Sequence, residues 1–466
     1  MKHREPDMVS EQASALRRRL PFRPTCRRLL TTLLLAAAIA VPGPLRDARA
    51  DALRFFQHDA FKNDTQDREA VRRQRALIRD ALRARLEPQY RTNLPLVSEQ
   101  TLAALRLAIS RYRAIVQAGG WPKVPGDRTL RVNDSGDGVR QLRARLRISG
   151  DLRENGRQRR RGWGFDAQLE EAVARFQIRH GLRVTGYLDI RTRRAMNVPA
   201  RERLHQLETN LARLTELMKI NKDERYVLVN VPSYTLQAVE QGRLVLESNV
   251  VVGKPSRQTP SLSAKIRGVN FFPHWRVPDS IAHKDLIPQI RKHPDYFFKE
   301  KFELLPTWGA KPLDPARIDW NSPEIYNYKF RQQPGPQNAL GLMRIDMPNK
   351  HIVYLHDTPL KHLFGQSSRA FSSGCVRVER VVDLVGWLLK DEPKWDPMRV
   401  QVTLAQGQPE DVRLKKPVPV HFVYVSAWAS HNGIAHFRPD IYGRDGGPVE
   451  VAESGELPSG SRAISP

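Results

Sequence analysis

The spacing of apolar residues changes period at about residue 224, and no single regular architecture accommodates both halves. Upstream, "DREAVRRQRALIRDALRARL" and "SEQTLAALRLAISRYRAIVQAGG" place apolar residues three and four apart, the signature of helices with one buried stripe. Ser98 with Thr101 marks a helix start and Gly119-Gly120 a stop. Downstream, "RYVLVNVPSYTLQAVEQGRLVLESNVVVGKP" alternates β-branched and polar residues in short runs broken at Gly242, which predicts strands. A chain of 466 residues also exceeds one ordinary core. The expected class is therefore α+β and multidomain.

Boundaries follow from the local pattern. Residues 51–128 read as a helical scaffold with basic polar faces. Residues 129–198 form a second helical unit, with Val139, Leu142 and Leu146 on one apolar face and Leu169, Ala172, Val173 and Phe176 on another. A basic insertion, "RENGRQRRRGWG", interrupts it. The run "ARERLHQLETNLARLTELMKI" makes a connector over 199–223. The β-rich part spans 224–445, with Asn432-Gly433 as a hairpin turn near its end. Within it, residues 270–335 carry aromatics, prolines and lysines with little alternation, as expected of an insertion capping a site. The Gly/Ser/Pro/Glu-rich tail, 446–466, reads as disordered.

Residues 1–50 resemble an export leader. "RRRLPFRPTCRRLL" is a basic n-region, Leu29 to Val41 an apolar run, and "ARA" a cleavage site before Asp51. The run falls short of the roughly 20 residues that span a bilayer; an uncleaved anchor is the alternative, and no later stretch is long and apolar enough to cross. The formal charge of +27 calls for anionic partners. In an exported chain those are the carboxylate-rich wall or the anionic membrane surface rather than nucleic acid.

Loss of the leader removes Cys26 and leaves Cys375 alone in a compartment where thiols are normally paired. Inert burial, an intermolecular disulfide and a nucleophilic role are the three readings. A nucleophile needs help to ionise, which a histidine can give. His356, 19 residues upstream at the end of "KHIVYLHD", is favoured over His351 and His362. Ser372, Ser373 and Gly374 form a tight turn, and "VRVERVVDLVGWLLK" from Val376 predicts a helix with Val381, Leu384, Val385 and Leu388 on its apolar face. That would place Cys375 at a helix N-terminus, lowering its pKa, with the Gly374 and Cys375 N–H groups as an oxyanion hole. Arg377 either holds a substrate carboxylate or pairs with Glu379. A metal site is the competing chemistry, but no CxxC or HExxH spacing supports one, and none is expected.

Two resemblances narrow the reading. "GDGVRQLRARL…FQIRHGLRVTGYLDIRT" looks like the small three-helix peptidoglycan-binding domain found beside wall enzymes. "HDTPLKHLFGQSSRAFSSGCVRV" resembles the active-site motif of YkuD-type L,D-transpeptidases, and "GGWP", "VPDSIAHKDLIP" and "QPGPQNALG" are similar to the large YcbB-like group within them. The resemblance implies a β-rich catalytic domain with a capping insertion, and a periplasmic enzyme that forms 3→3 peptidoglycan cross-links. It implies Cys375 as the thioester-forming nucleophile, His356 as its base, and the Asp357 carbonyl as the group orienting the imidazole. Tyr354, Ser373, Gly374 and Arg377 would line the site; Ser373 stands where many relatives carry a second histidine. Stem peptides and glycan are the implied partners, carbapenems the implied inhibitors, and no cofactor is needed. An L,D-carboxypeptidase and a non-catalytic wall-binding protein are the alternatives.

Overall fold

A computed structural model describes residues 69–71, 73–153, 164–220, 223–430 and 432–446. The leader over 1–50, the basic insertion at 154–163 and tail residues 447–466 lie outside the described residues. The chain divides into two units, 1–78 and 79–466. In the first, residues 69–71 and 73–78 are helical; all that follows concerns the second.

Helix α1 (Glu99–Gln117) begins where expected, the Ser98 hydroxyl accepting the Thr101 N–H at 3.2 Å. Helices α2 (Asp137–Ile148), α3 (Ala167–Arg179) and α4 (Ile190–Met196) then close the small helical unit. Its core contains Val139, Leu142 and Leu146 of α2 against Leu169, Ala172, Val173 and Phe176 of α3, the two faces read from the sequence. Gln177 explains the motif that follows it. Its buried amide donates to Thr185 Oγ1, Tyr187 O and Thr192 Oγ1, and its carbonyl accepts from the Thr185 and Gly186 N–H groups. One side chain thus fastens the whole "VTGYLD" turn. The long α5 (Ala200–Ile220) packs along α1.

From residue 225 the chain builds β1 (Arg225–Asn230), β2 (Thr235–Glu240), β3 (Arg243–Gly253) and β4 (Leu262–Phe271). After an insertion come β8 (Met343–Asp346), β9 (Leu355–His356), β10 (Ala370–Ser372), β11 (Val376–Val378) and β12 (Glu410–Val423). Their order is β10-β3-β11-β9-β8-β4-β12-β1-β2, and a further β2–β3 pairing closes the sheet on itself. Alternation then divides β1 between two cores. Val227 and Val229 face the interior with Ile266, Phe271, Ile345 and Val376. Tyr226 and Leu228 face outward, where Leu105, Ile109, Leu207 and Leu214 of α1 and α5 cover them. The helical segment expected as a connector is therefore part of the wall's covering. β13 (Ala427–Ala429) and β14 (Ala435–Phe437) form the hairpin expected around Asn432-Gly433.

The insertion corrects one expectation. It is not poor in strands: β5 (Trp275–Arg276), β6 (Phe302–Leu305) and β7 (Lys329–Gln332) pair in the order β5-β7-β6. Short helices over 279–299 pack Ile281, Leu286, Ile290 and Phe297 against Trp275 and Phe330 in a separate core. Long-range pairing of short, proline-broken runs leaves little periodicity for a sequence to display. Among the described residues, no helix is long and apolar enough to cross a membrane.

Candidate active site

The site is built on two short parallel strands. β9 and β11 pair with Leu355 opposite Val376 and His356 opposite Arg377, and Val376 N–H donates to Tyr354 O at 3.0 Å. Leu355, Val376 and Val378 point into the barrel core. By alternation His356 and Arg377 face the other way, toward the insertion. Arg377 lines a narrow cleft there with Trp275, Gln332, Gln337, Thr358 and Leu360. Cys375 precedes β11 and is buried.

Cys375 therefore does not stand at a helix N-terminus. Val376–Val378 is a strand, because its β-branched residues pair with β3 and β9, and α6 (Val381–Leu389) starts only beyond Arg380. The apolar face of Val381, Leu384, Val385 and Leu388 is correct and buried. Without the helix dipole, burial dominates and pushes the Cys375 thiol up to about 11. The Tyr354 backbone N–H and hydroxyl approach the sulfur and favour the thiolate, as do Arg377 and Arg344. Burial, and then Arg377, hold His356 down to about 3. The Asp357 and Leu340 carbonyls favour its protonated form, yet neither ring nitrogen closes a hydrogen bond of normal geometry among the described residues. Burial lowers Arg377 to about 10, with Cys375 acting in the opposite sense. At neutral pH the site thus holds a neutral thiol, a neutral imidazole and a buried guanidinium.

The neighbouring loops fix these groups. Ser372 Oγ donates to Cys375 O at 2.5 Å and accepts the Gly374 N–H at 3.2 Å. Gly374 adopts φ +123°, which side-chain-bearing residues rarely reach. Its carbonyl accepts from Thr259 Oγ1 at 2.8 Å. At rest its N–H is therefore engaged by Ser372, and an oxyanion would have to displace that bond. Ser373 Oγ accepts from Arg257 at 2.9 Å, and Arg257 in turn grips Asp285 of the insertion with both terminal nitrogens. The Asp357 carboxylate is occupied by the Leu342 N–H and Lys361, so the group left facing the imidazole is its carbonyl.

The three histidines separate clearly. His356 alone lies in the strand next to β11; His351 is exposed in a turn and His362 sits exposed in a short 3-10 turn. Glu379, the alternative partner of Arg377, accepts from Asn249 Nδ2 at 2.8 Å. Of the insertion residues singled out, Trp275 is buried against Phe302 and lines the cleft, Lys284 is exposed, and the Pro334-Gly335-Pro336 turn is anchored by Asn338, whose amide donates to Pro273 O and Gln333 O. Sequence reading missed Arg257, Thr259 and Arg344. The first two lie more than a hundred residues before Cys375, in "GKPSRQTP", and nothing local links them to it.

Residues 224–419 match the YkuD family, described as "L,D-transpeptidase catalytic domain", and residues 135–196 match a "Putative peptidoglycan binding domain". A curated relative from Haemophilus influenzae, named "Putative L,D-transpeptidase", is 40% identical over 220 residues. That stretch is 47% of this chain and 44% of the relative, so the chain matches under half of the relative's length. A solved L,D-transpeptidase from Mycobacterium smegmatis overlaps 43% of this chain and 58% of its own at 13% identity and TM-score 0.22. One from Stackebrandtia nassauensis overlaps 65% and 96% at 14% identity and TM-score 0.25.

Proposed function

We propose, for a chain that carries a YkuD-type L,D-transpeptidase catalytic domain behind a peptidoglycan-binding-type domain, that it is a cysteine-dependent enzyme forming 3→3 peptidoglycan cross-links outside the cytoplasm. The observation that carries this reading is the placement of Tyr354, His356, Cys375 and Arg377 on adjoining β9 and β11 segments under the insertion. Cys375 Sγ attacks the carbonyl joining the L-centre of the third stem residue to D-Ala, as its proton passes to His356. Because the resting pair is neutral, proton transfer accompanies attack rather than preceding it. The tetrahedral oxygen carries the negative charge; the Cys375 N–H and the Arg377 cation are the groups placed to stabilise it. Collapse breaks the C–N bond, and D-Ala leaves with the proton from His356. The side-chain amine of a neighbouring stem then gives a proton to His356, attacks the thioester and restores the thiol.

Arg377 serves twice in this scheme, because a fixed cation favours thiolate and oxyanion while disfavouring imidazolium. It keeps His356 a free base. Incubation of the leader-less protein with disaccharide tetrapeptides should yield a cross-linked dimer and free D-Ala by mass spectrometry, and Cys375→Ala should yield neither. Tripeptide without dimer would indicate a carboxypeptidase using water as acceptor. A carbapenem should add its mass to the wild type and leave Cys375→Ala unmodified.

A further inference from the structure

Away from the thiol, the outer wall of the barrel carries a concentrated basic surface. β4 and β12 pair antiparallel with Arg413 opposite Gly268 and Val418 opposite Ile266, so the register jumps and residues 414–417 bulge out beside Arg267. Leu414 is buried and pins the bulge to the core, while Lys415, Lys416 and Pro417 stay exposed. Lys265, Arg267, Arg413 and Lys415 line an open hollow of about 490 Å3, the size of an ordinary ligand site. None of these four, nor Lys416, forms an ion pair among the described residues. The carboxylates on neighbouring residues are engaged: Glu392 accepts the Lys415 N–H at 2.7 Å, Asp411 accepts from Asn270 at 2.6 Å, and Asp346, opposite Gly268, pairs with Arg344 at 3.6 Å.

The hollow and the candidate active site lie on the outer side of the same sheet, two strands apart. Ile266 points into the barrel core, so its neighbours Lys265 and Arg267 project outward, the side on which His356 and Arg377 lie. Asn270, three residues along β4 from Arg267, pairs with Arg344, and Arg344 pairs with His356. Two strand spacings and three residues of rise put Arg267 roughly 15 Å from His356 along the backbone. Arg344 bridges the interval, its guanidinium 5.6 Å from the Tyr354 ring. The lining holds no aromatic ring on which a nucleobase could stack and, apart from Leu414 and Pro417, no apolar side chain to enter a bilayer. Two arginines and two lysines with no carboxylate among the lining residues suit carboxylate groups presented at intervals.

We propose that this basic hollow docks carboxylate-bearing wall polymer, holding a neighbouring peptide-substituted strand within reach of Cys375. The inference rests on the activity proposed above and adds a second wall-binding surface, on the catalytic domain itself. The test is co-sedimentation of the full leader-less chain with purified sacculi at low and high salt. A variant carrying Lys265→Gln, Arg267→Gln, Arg413→Gln and Lys415→Gln should bind roughly tenfold or more weaker at low salt, with a shallower salt dependence. A control removing the same charge from other exposed cations, Arg106→Gln, Arg243→Gln, Lys311→Gln and Lys350→Gln, should stay within about twofold of wild type. Sacculi whose carboxylates have been amidated should bind wild type and the hollow variant alike. The melting temperature of each variant checks that it is folded, and all substitutions lie on exposed side chains. Equal binding by wild type and the hollow variant overturns the proposal. So does equal weakening by the control, which would make net charge the cause, or loss of binding to anionic phospholipid vesicles with sacculus binding intact. Failure of a carbapenem to acylate the wild type would instead count against the proposed activity, and the sacculus result would still decide the hollow.

Discussion

Two buried arginines show how differently the chain treats charge in its two halves. Arg179, at the end of α3, meets Asp151 through two hydrogen bonds of 2.7 and 2.6 Å, with both side chains 3% exposed. It also reaches Tyr112 of α1 and Ala435 O of the hairpin, joining the small helical unit to the scaffold beside the stacked rings of Phe176, His180 and Phe437. Arg377 is as deeply buried, and its neighbours include the His356 imidazole and the Cys375 thiol. A paired buried charge holds parts together. Under the proposed function, a buried cation beside the thiol serves charge that appears during reaction. The same residue type thus joins segments in the first region and, in the proposed function, assists chemistry in the second.

The comparison can be broken from either side. The largest effect is expected at the proposed nucleophile and base: Cys375→Ala should abolish acylation, and His356→Asn should slow it by about 10²–10⁴-fold, measured by mass spectrometry under single-turnover conditions. His356→Asn should leave the melting temperature unchanged or raised, because it removes an imidazole whose nitrogens lack normal hydrogen bonds. Asp151→Ala should do the reverse, costing about 3–5 kcal/mol of stability by leaving Arg179 buried and unpaired, with the acylation rate of the folded fraction little altered. Urea unfolding monitored beside acylation separates the two. Arg257→Gln lies between these poles. Releasing Ser373 and Asp285 should lower kcat by roughly tenfold through misplacement of the Cys375 turn, with stability only slightly affected.

The pH dependence separates the two regions again. His356 and His436 are each held near 3, and His180 and His421 lie below their ordinary value, chiefly by burial. Below about pH 6.5 the unfolded chain takes up protons at these histidines that the folded chain refuses, so stability falls as pH drops from there toward 3. Acylation, by contrast, should show no limb near pH 6–7, because thiol and imidazole both remain neutral across that range. A bell centred near neutrality in the acylation rate would instead mean a preformed thiolate–imidazolium pair.

Local chemistry made much of this molecule legible. The helical periods, the Ser98 cap, both apolar faces around Phe176, the closing hairpin and the α+β class follow from residue spacing, because each depends on neighbours within a few positions. The Cys375 turn and His356 could be named for the same reason: their motif is contiguous. Misreading Val376–Val378 as the start of a helix has an equally plain cause. Val-Arg-Val suits either structure locally, and the strand exists because β3 and β9 supply its hydrogen bonds. The small sheet within the insertion was hidden likewise, since β5 and β7 are separated by more than fifty residues.

The amino-acid sequence by itself singled out the candidate groups: the Cys375 thiol, a histidine at the end of a strand-like run and an arginine two residues beyond the thiol. Only tertiary structure decided their protonation and supports. Burial pushes the thiol up and the imidazole down, and Arg257 and Thr259 hold the turn from a distant loop. Residue identity is carried by the chain, but desolvation and long-range hydrogen bonding arise only when separate segments close around the same point.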